Sequence, residues 1–233
     1  MESKLLIKER DVVIPGEELA SGMDFLPSEG TYRLENSIYS KVMGLVKVDG
    51  KVLKVRALRG GYLPKRNDTV IGKVTDIMSA GWFIDIFSPY NSLLPLKEGS
   101  SDFIQRGADL TRYYDIEDFV VVKILSVNAQ KQVDVTIKGP GLRKLKGGRL
   151  IKINSQKVPR VIGKQGSMIN LIKENTGTQV TVGQNGIVWI KGEDPLMENL
   201  AEKTIRKIEA EAHIPGLTDR IGEWLKDQVG GKK

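Results

Sequence analysis

The tetrapeptide Gly163-Lys164-Gln165-Gly166 constrains this chain more than any other stretch of its sequence. It lies within residues 158–172, VPRVIGKQGSMINLI, between a short apolar segment and a run in which Met168, Leu171 and Ile172 recur at helical spacing. Ser167 stands where an N-cap belongs, and Gly177 follows Thr176 as a helix-ending glycine should. Two glycines let the main chain approach an anion closely, and the amides that open the next helix face that anion with the positive end of the helix dipole behind them. Lys164 adds a charge. Around this point the pattern alternates: a strand over 150–154 precedes it, and strands over 178–182 and 187–191 come after it, joined by an expected tight Asn-Gly turn within Gly183-Gln184-Asn185-Gly186. A helix over 195–212 places Met197, Leu200, Ala201, Ile205 and Ile208 on one face, with Pro195 in its first turn. A short helix over 218–229 and a GGKK tail remain outside this pattern.

The preceding residues read differently. Residues 41–48 and 51–58 flank Asp49-Gly50, which predicts a type I′ hairpin because those two residue types tolerate positive φ. With the turn-rich stretches on either side, this predicts a small all-β unit ending near Arg66. Five further strands are predicted over 69–78, 81–87, 93–96, 119–127 and 132–138, with a long connection over 97–117 after the third. That spacing suits a five-stranded Greek-key barrel of the OB type, with Gly72 and Gly81 as bend positions. The expected fold class is therefore multidomain and mostly β with a C-terminal α+β module. Its parts are a β-rich domain over 1–66, an OB barrel over 67–138, an α+β module over 145–212, and a short helix and tail over 213–233.

Charge sharpens this division. The 233 residues carry 36 Lys and Arg against 29 Asp and Glu, a formal +7. Residues 1–66 hold 12 basic and 9 acidic side chains, 67–138 hold 7 and 10, and 139–233 hold 17 and 10. Arg143, Lys144, Lys146, Arg149, Lys152, Lys157, Arg160 and Lys164 succeed one another with no intervening acid. Such a run attracts a polyanion and makes nucleic acid the first partner to consider. The absence of cysteine excludes a disulfide scaffold, a thiolate metal site and a cysteine nucleophile, and the lone His213 excludes a multi-imidazole zinc cage. No apolar stretch approaches the ~20 residues of a membrane helix. The expectation is a soluble, cytoplasmic protein without a membrane partner.

The segment 158–172, with the hairpin and long helix after it, resembles the KH domain of type I (βααββα), whose GXXG loop clamps single-stranded nucleic acid. The resemblance implies RNA contacts from Gly163, Lys164, Gln165 and Gly166. The basic residues Arg143, Lys144, Lys146, Lys157 and Arg160 extend that surface. Gly183 to Gly186 lies between strands and is read as a structural turn. The middle unit resembles the S1 RNA-binding domain through Gly72-Lys73-Val74, Ala80-Gly81-Trp82-Phe83-Ile84-Asp85-Ile86, Leu94-Pro95 and Val121 to Val127. In that family, aromatics on the second and third strands stack on bases. Strand alternation lets either Trp82 or Phe83 face outward, and Trp82 is taken as the exposed ring. Lys97, Arg106, Arg112, Lys123 and Lys131 are the cations available beside it.

The three modules in this order resemble the archaeal RNA-binding cap subunit of the exosome. Val13-Ile14-Pro15-Gly16-Glu17, Gly30-Thr31, Tyr62-Leu63-Pro64, Asp68 to Gly72 and the Gly-x-Asn-Gly at 183–186 carry the resemblance. It implies a trimeric cap, of this chain alone or with a related cap subunit, on a hexameric phosphorolytic ring of two related chains. The N-terminal unit would dock on the ring, the S1 domains would line the pore, and single-stranded, A-rich RNA would be fed inward. Catalysis is not expected from this chain. His213 lies where a helix end favours a cation, and Asp115, Glu117 and Asp118 form no recognisable constellation, so neither metal nor cofactor is expected. The alternatives are a free-standing S1 and KH factor of transcription or translation, and a stand-alone ribonuclease.

Overall fold

Residues 3–105 and 107–230 are described by the structure, a computed structural model, which divides into two units that meet in sequence at Gly60 and Gly61. The first unit is all β. Its strands are β1 Lys4–Leu5, β2 Val12–Val13, β3 Glu18–Ser21, β4 Leu26–Pro27, β5 Thr31–Leu34, β6 Ser37–Ser40, β7 Gly44–Asp49 and β8 Val52–Ala57. They form two four-stranded sheets, in the orders β1-β3-β6-β5 and β2-β7-β8-β4. Val13, Leu19, Ala20, Ile38, Val46, Leu53 and Val55 form their shared core. The hairpin of β7 and β8 exists, but Asp49 pairs with Val52, so the loop is Gly50-Lys51, one residue later than the sequence suggested. Only Gly50 there takes positive φ, at 61°. Asp49 is freed to extend the strand.

The second unit opens with β9 Thr69–Met78, β10 Gly81–Asp85, β11 Ser92–Pro95, α1 Leu96–Gly99, β12 Phe119–Val127 and β13 Val133–Thr136. All five predicted strands are present, and pairing of β13 with both β11 and β12 closes the barrel. Gly72 and Gly81 are needed because a side chain there would strike Ile84 or the Leu94 carbonyl of the neighbouring strand. β14 Lys144–Leu145 then adds to the edge of β12.

β15 Arg149–Lys152, α2 Val158–Ile162, α3 Ser167–Thr176, β16 Gln179–Val182, β17 Ile187–Lys191 and α4 Pro195–Glu211 reproduce the βααββα order, with an antiparallel sheet β15-β17-β16. α5 Leu217–Gly230 completes the unit. The expected segregation of 213–233 as a helix and tail is not what the fold shows. Leu217, Ile221 and Leu225 of α5 are buried in the same core as Met168, Ile172, Leu200, Ile205 and Ile208, so this helix is part of the α+β module. Its apolar residues recur every four positions and find their partner on α3 and α4. Gly231, Lys232 and Lys233 lie outside the described residues. Among the described residues, no helix is long and apolar enough to cross a membrane.

The two folds on either side of the boundary expected near residue 138 also share a buried contact. Barrel and α+β module are separate folds, yet Ile71, Val121 and Leu145 from the barrel side pack with Ile187 and Trp189 in one buried cluster. Consecutive residues Val70, Ile71 and Gly72, and again Val120, Val121 and Val122, are buried because both faces of those strands are covered.

Candidate nucleic-acid interface

The GKQG loop is built by the chain on either side of it. Val158 and Val161 of α2 and Met168 and Ile172 of α3 are buried in one core, so the four residues between them are held at both ends. Gly163 has φ 76°, Gln165 φ 53° and Gly166 φ 82°. Gly163 has a second reason to be glycine, since a Cβ would lie 2.6 Å from the Met168 nitrogen. Gly166 serves as the N-cap of α3 and no side chain caps that end. Ser167 is therefore the first helical residue and not the N-cap its identity suggested. With the loop in a left-handed conformation, the opening amides of α3 lie beside exposed Lys164 and Gln165. This is a positive rim without a built-in anion.

The basic run between Arg143 and Lys164 separates into two kinds of residue. Arg143 lies over the Trp189 ring at 5.6 Å, and Lys144 is ion-paired with Asp118. Arg149 meets Glu202 at 2.8 Å, and Lys157 donates from Nζ to the Glu209 carbonyl at 2.8 Å. These four are committed to the fold. Lys146, Lys152, Arg160 and Lys164 are exposed, and their side chains make no ion pair among the described residues. Of the cations expected to bind RNA, the geometry thus favours Lys146, Arg160 and Lys164 over Arg143, Lys144 and Lys157.

On the barrel, the expected exposure of Trp82 is overturned. Trp82 is fully buried, donates from Nε1 to the Tyr114 carbonyl at 3.0 Å, and packs edge-on against Tyr114 at 5.1 Å. The long connection after α1 supplies that cage, which its polar sequence concealed. Phe83 takes the outward side of β10 instead. It lines an open cleft of about 430 Å³ with Thr75, Asp76, Asp85, Ser88 and Tyr90. Lys131 stands 5.7 Å over the Tyr90 ring. Of the expected barrel cations among the described residues, only Lys131 joins this face. Lys123 pairs with Thr69 while Phe83 pairs with Asp76, seven positions along β9 and roughly 23 Å away. Lys97 sits on α1, and Arg112 is tied to Asp109 at 3.3 Å. Arg106 lies outside the described residues. Tyr90 was missed because it stands in a turn, where strand alternation gives no signal.

The second Gly-x-x-Gly has a different use. Gly186 donates to the Gly183 carbonyl and has φ 84°, so the loop is a turn over Gln184 and Asn185 closed by a left-handed glycine. Asn185 is 3% exposed and donates from Nδ2 to the carbonyls of Ile71 at 2.7 Å and Ile86 at 2.9 Å. Gln184 donates its main-chain N–H to the Thr69 carbonyl at 2.8 Å. This loop fastens the barrel to the α+β module. Elsewhere, Asp118 and Glu117 pair with Lys144 and Lys73, and among the described residues no group of acids and His is placed to hold a metal ion.

Comparison with known proteins agrees with each module. Residues 12–49 match the family described as the exosome complex exonuclease RRP4 N-terminal region, 63–138 the S1 RNA binding domain and 149–207 the KH domain. The exosome complex component Rrp4 of Methanothermus fervidus is 45% identical, the alignment covering 95% of this chain and 97% of that protein. Its counterpart in Thermococcus kodakarensis is 43% identical over 97% of this chain and 89% of that one. A crystal structure of an exosome complex RNA-binding protein superposes with a TM-score of 0.66 at 27% identity, covering 75% of this chain and all of the other. With an S1 barrel and a KH module both built as their sequences require, and with relatives this similar over nearly the whole length, the chain belongs to the Rrp4 family of exosome complex components.

Proposed function

We propose that this protein is a non-catalytic RNA-binding subunit of the exosome. It forms a trimeric cap on a hexameric phosphorolytic ring, holds single-stranded RNA, and feeds it to the active sites of that ring. The observation that carries this reading is the GKQG loop, exposed and uncapped at the start of α3, in a chain of the Rrp4 family. Opening amides and Lys164 take the phosphates, and Lys146 and Arg160 add sequence-independent attraction. The Phe83 and Tyr90 rings offer a stacking surface that accepts any base. Three copies around one pore raise the effective concentration of weak sites, so modest affinity at each suffices. A ring assembled with and without the chain tests the proposal. The capped ring degrades single-stranded RNA at lower RNA concentration than the bare ring, and the purified chain alone produces no turnover. Degradation by the isolated chain, or a ring indifferent to it, overturns the reading.

A further inference from the structure

The barrel cleft that Phe83 lines carries negative charge where an RNA-binding surface is expected to carry positive. Phe83 pairs with Asp76 and Ile84 with Val74, so Thr75 is an extra residue that bulges from β9. The bulge leaves consecutive Thr75 and Asp76 both exposed and both lining the cleft, where strict alternation would send one of them inward. The Ile77 N–H donates to Asp76 Oδ1 at 2.8 Å and steadies that carboxylate, and Asp85 in the same cleft accepts from the Phe87 N–H at 2.7 Å. Among the described residues neither carboxylate is ion-paired, and Lys73, the ladder partner of Asp85, pairs with Glu117 instead. Two carboxylates repel phosphate. A strand that stacks on Phe83 or Tyr90 therefore turns its bases into the cleft and its backbone away, and choice among bases falls to the groups at their edges.

We infer that this cleft is a base subsite selective for guanine, in which the base stacks on Phe83 and Asp76 accepts from its N1–H and N2–H groups. A carboxylate only accepts hydrogen bonds. Guanine is the one RNA base with two adjacent N–H donors on its Watson–Crick edge, and two donors side by side match the two oxygens of a carboxylate as a guanidinium does. Adenine and cytosine would set a ring-nitrogen lone pair against one oxygen, and uracil flanks its single N–H with carbonyls. Asp76 is the reader because it stands directly across the ladder from Phe83, where β-carbons are roughly 5 Å apart. On the Tyr90 side, Asn91 lines the cleft and Lys131 stands over the ring, donors suited to O6 and N7. The inference rests on the RNA-binding reading and gives the barrel a base of its own.

The test measures, by fluorescence anisotropy, binding of the full chain to uridine octamers whose central residue is guanosine, adenosine, cytidine, inosine or uridine. The guanosine oligomer binds about fivefold tighter or more than those with adenosine, cytidine or uridine, as a good bidentate contact requires. Inosine, which lacks the N2 amine, loses most of that gain. Asp76→Asn abolishes the preference and, since a carboxamide both donates and accepts, moves it towards adenosine. The carboxamide oxygen still accepts from Ile77 and the position is exposed, so the thermal melt is unchanged. The guanosine preference persists when Lys164→Asp with Gln165→Asp disables the GKQG loop. Equal binding of guanosine and adenosine, tighter binding of adenosine, inosine as good as guanosine, or a preference that survives Asp76→Asn overturns the inference and leaves the RNA reading in place. A preference lost in the loop variant assigns guanine to the KH module and overturns it as well. If the unaltered chain binds none of the oligomers, the RNA-binding reading itself fails.

Discussion

Two Gly-x-x-Gly tetrapeptides in one module, GKQG at 163–166 and GQNG at 183–186, are put to opposite uses. In both, glycine at positive φ shapes the loop. In the first, the glycines hold a left-handed loop in front of a helix whose opening amides have no side-chain cap, and the two middle residues face solvent. In the second, the middle residues face another part of the same chain, and Asn185 spends its amide on Ile71 and Ile86. The element on the C-terminal side of each tetrapeptide decides between them. A helix start leaves N–H groups to be satisfied from outside, whereas a strand on each side satisfies them through the ladder.

The largest effect is expected at the closed loop. Asn185→Ala removes both donated bonds and leaves two buried carbonyls without them, which costs about 2–4 kcal/mol. A denaturant melt reads this as a lower midpoint, while RNA affinity measured well below the transition stays the same. Should RNA affinity fall with stability unchanged, the two loops would not differ as described. Gly163→Ala comes next, because it changes both properties. The Cβ would press on the Met168 nitrogen and φ is 76°, so a cost of about 1–3 kcal/mol accompanies weakened RNA binding.

Lys164→Asp with Gln165→Asp leaves the glycines in place and touches only exposed side chains. Stability therefore moves by less than about 0.5 kcal/mol, as is usual for surface changes. Binding of single-stranded RNA to the assembled cap, measured by fluorescence anisotropy, weakens about tenfold, or ~1.4 kcal/mol. Unchanged binding would remove the open loop from the RNA path.

How much of this was legible in the sequence depends on whether a signal is local. The barrel strands and the βααββα order come from alternation, glycines and helical spacing, all read within a few residues. Trp82 and Phe83 are neighbours on one strand, and local alternation says that they part ways without saying which turns inward. Tyr113 and Tyr114, some thirty positions later, settle it by caging the indole. The association of barrel and KH module was equally non-local, though Val120-Val121-Val122 carried a trace of it. A strand apolar on both faces needs a second cover, and Ile187 and Trp189 provide it. The packing of α5 into the KH core was legible in its four-residue period and was missed by setting the predicted helix over 218–229 apart from that module.

The basic run shows the same limit and gives the smallest expected effect. From sequence, Lys144 and Lys146 are equivalent cations two positions apart. In the fold Lys144 is ion-paired with Asp118 on the strand side, while Lys146 is exposed and only its carbonyl is used, accepting from Lys191 at 3.0 Å. A lysine that releases a counterion on binding contributes about one unit to the slope of log affinity against log salt. Lys146→Ala is thus expected to flatten that slope by about one, with little change in stability. Lys144→Ala leaves the slope alone and instead lowers stability modestly, because the pair is partly buried and Asp118 loses its partner. Equal slopes for the two variants would mean that Asp118 does not withdraw Lys144 from the RNA surface, and the division of the run into structural and available cations would fall with it.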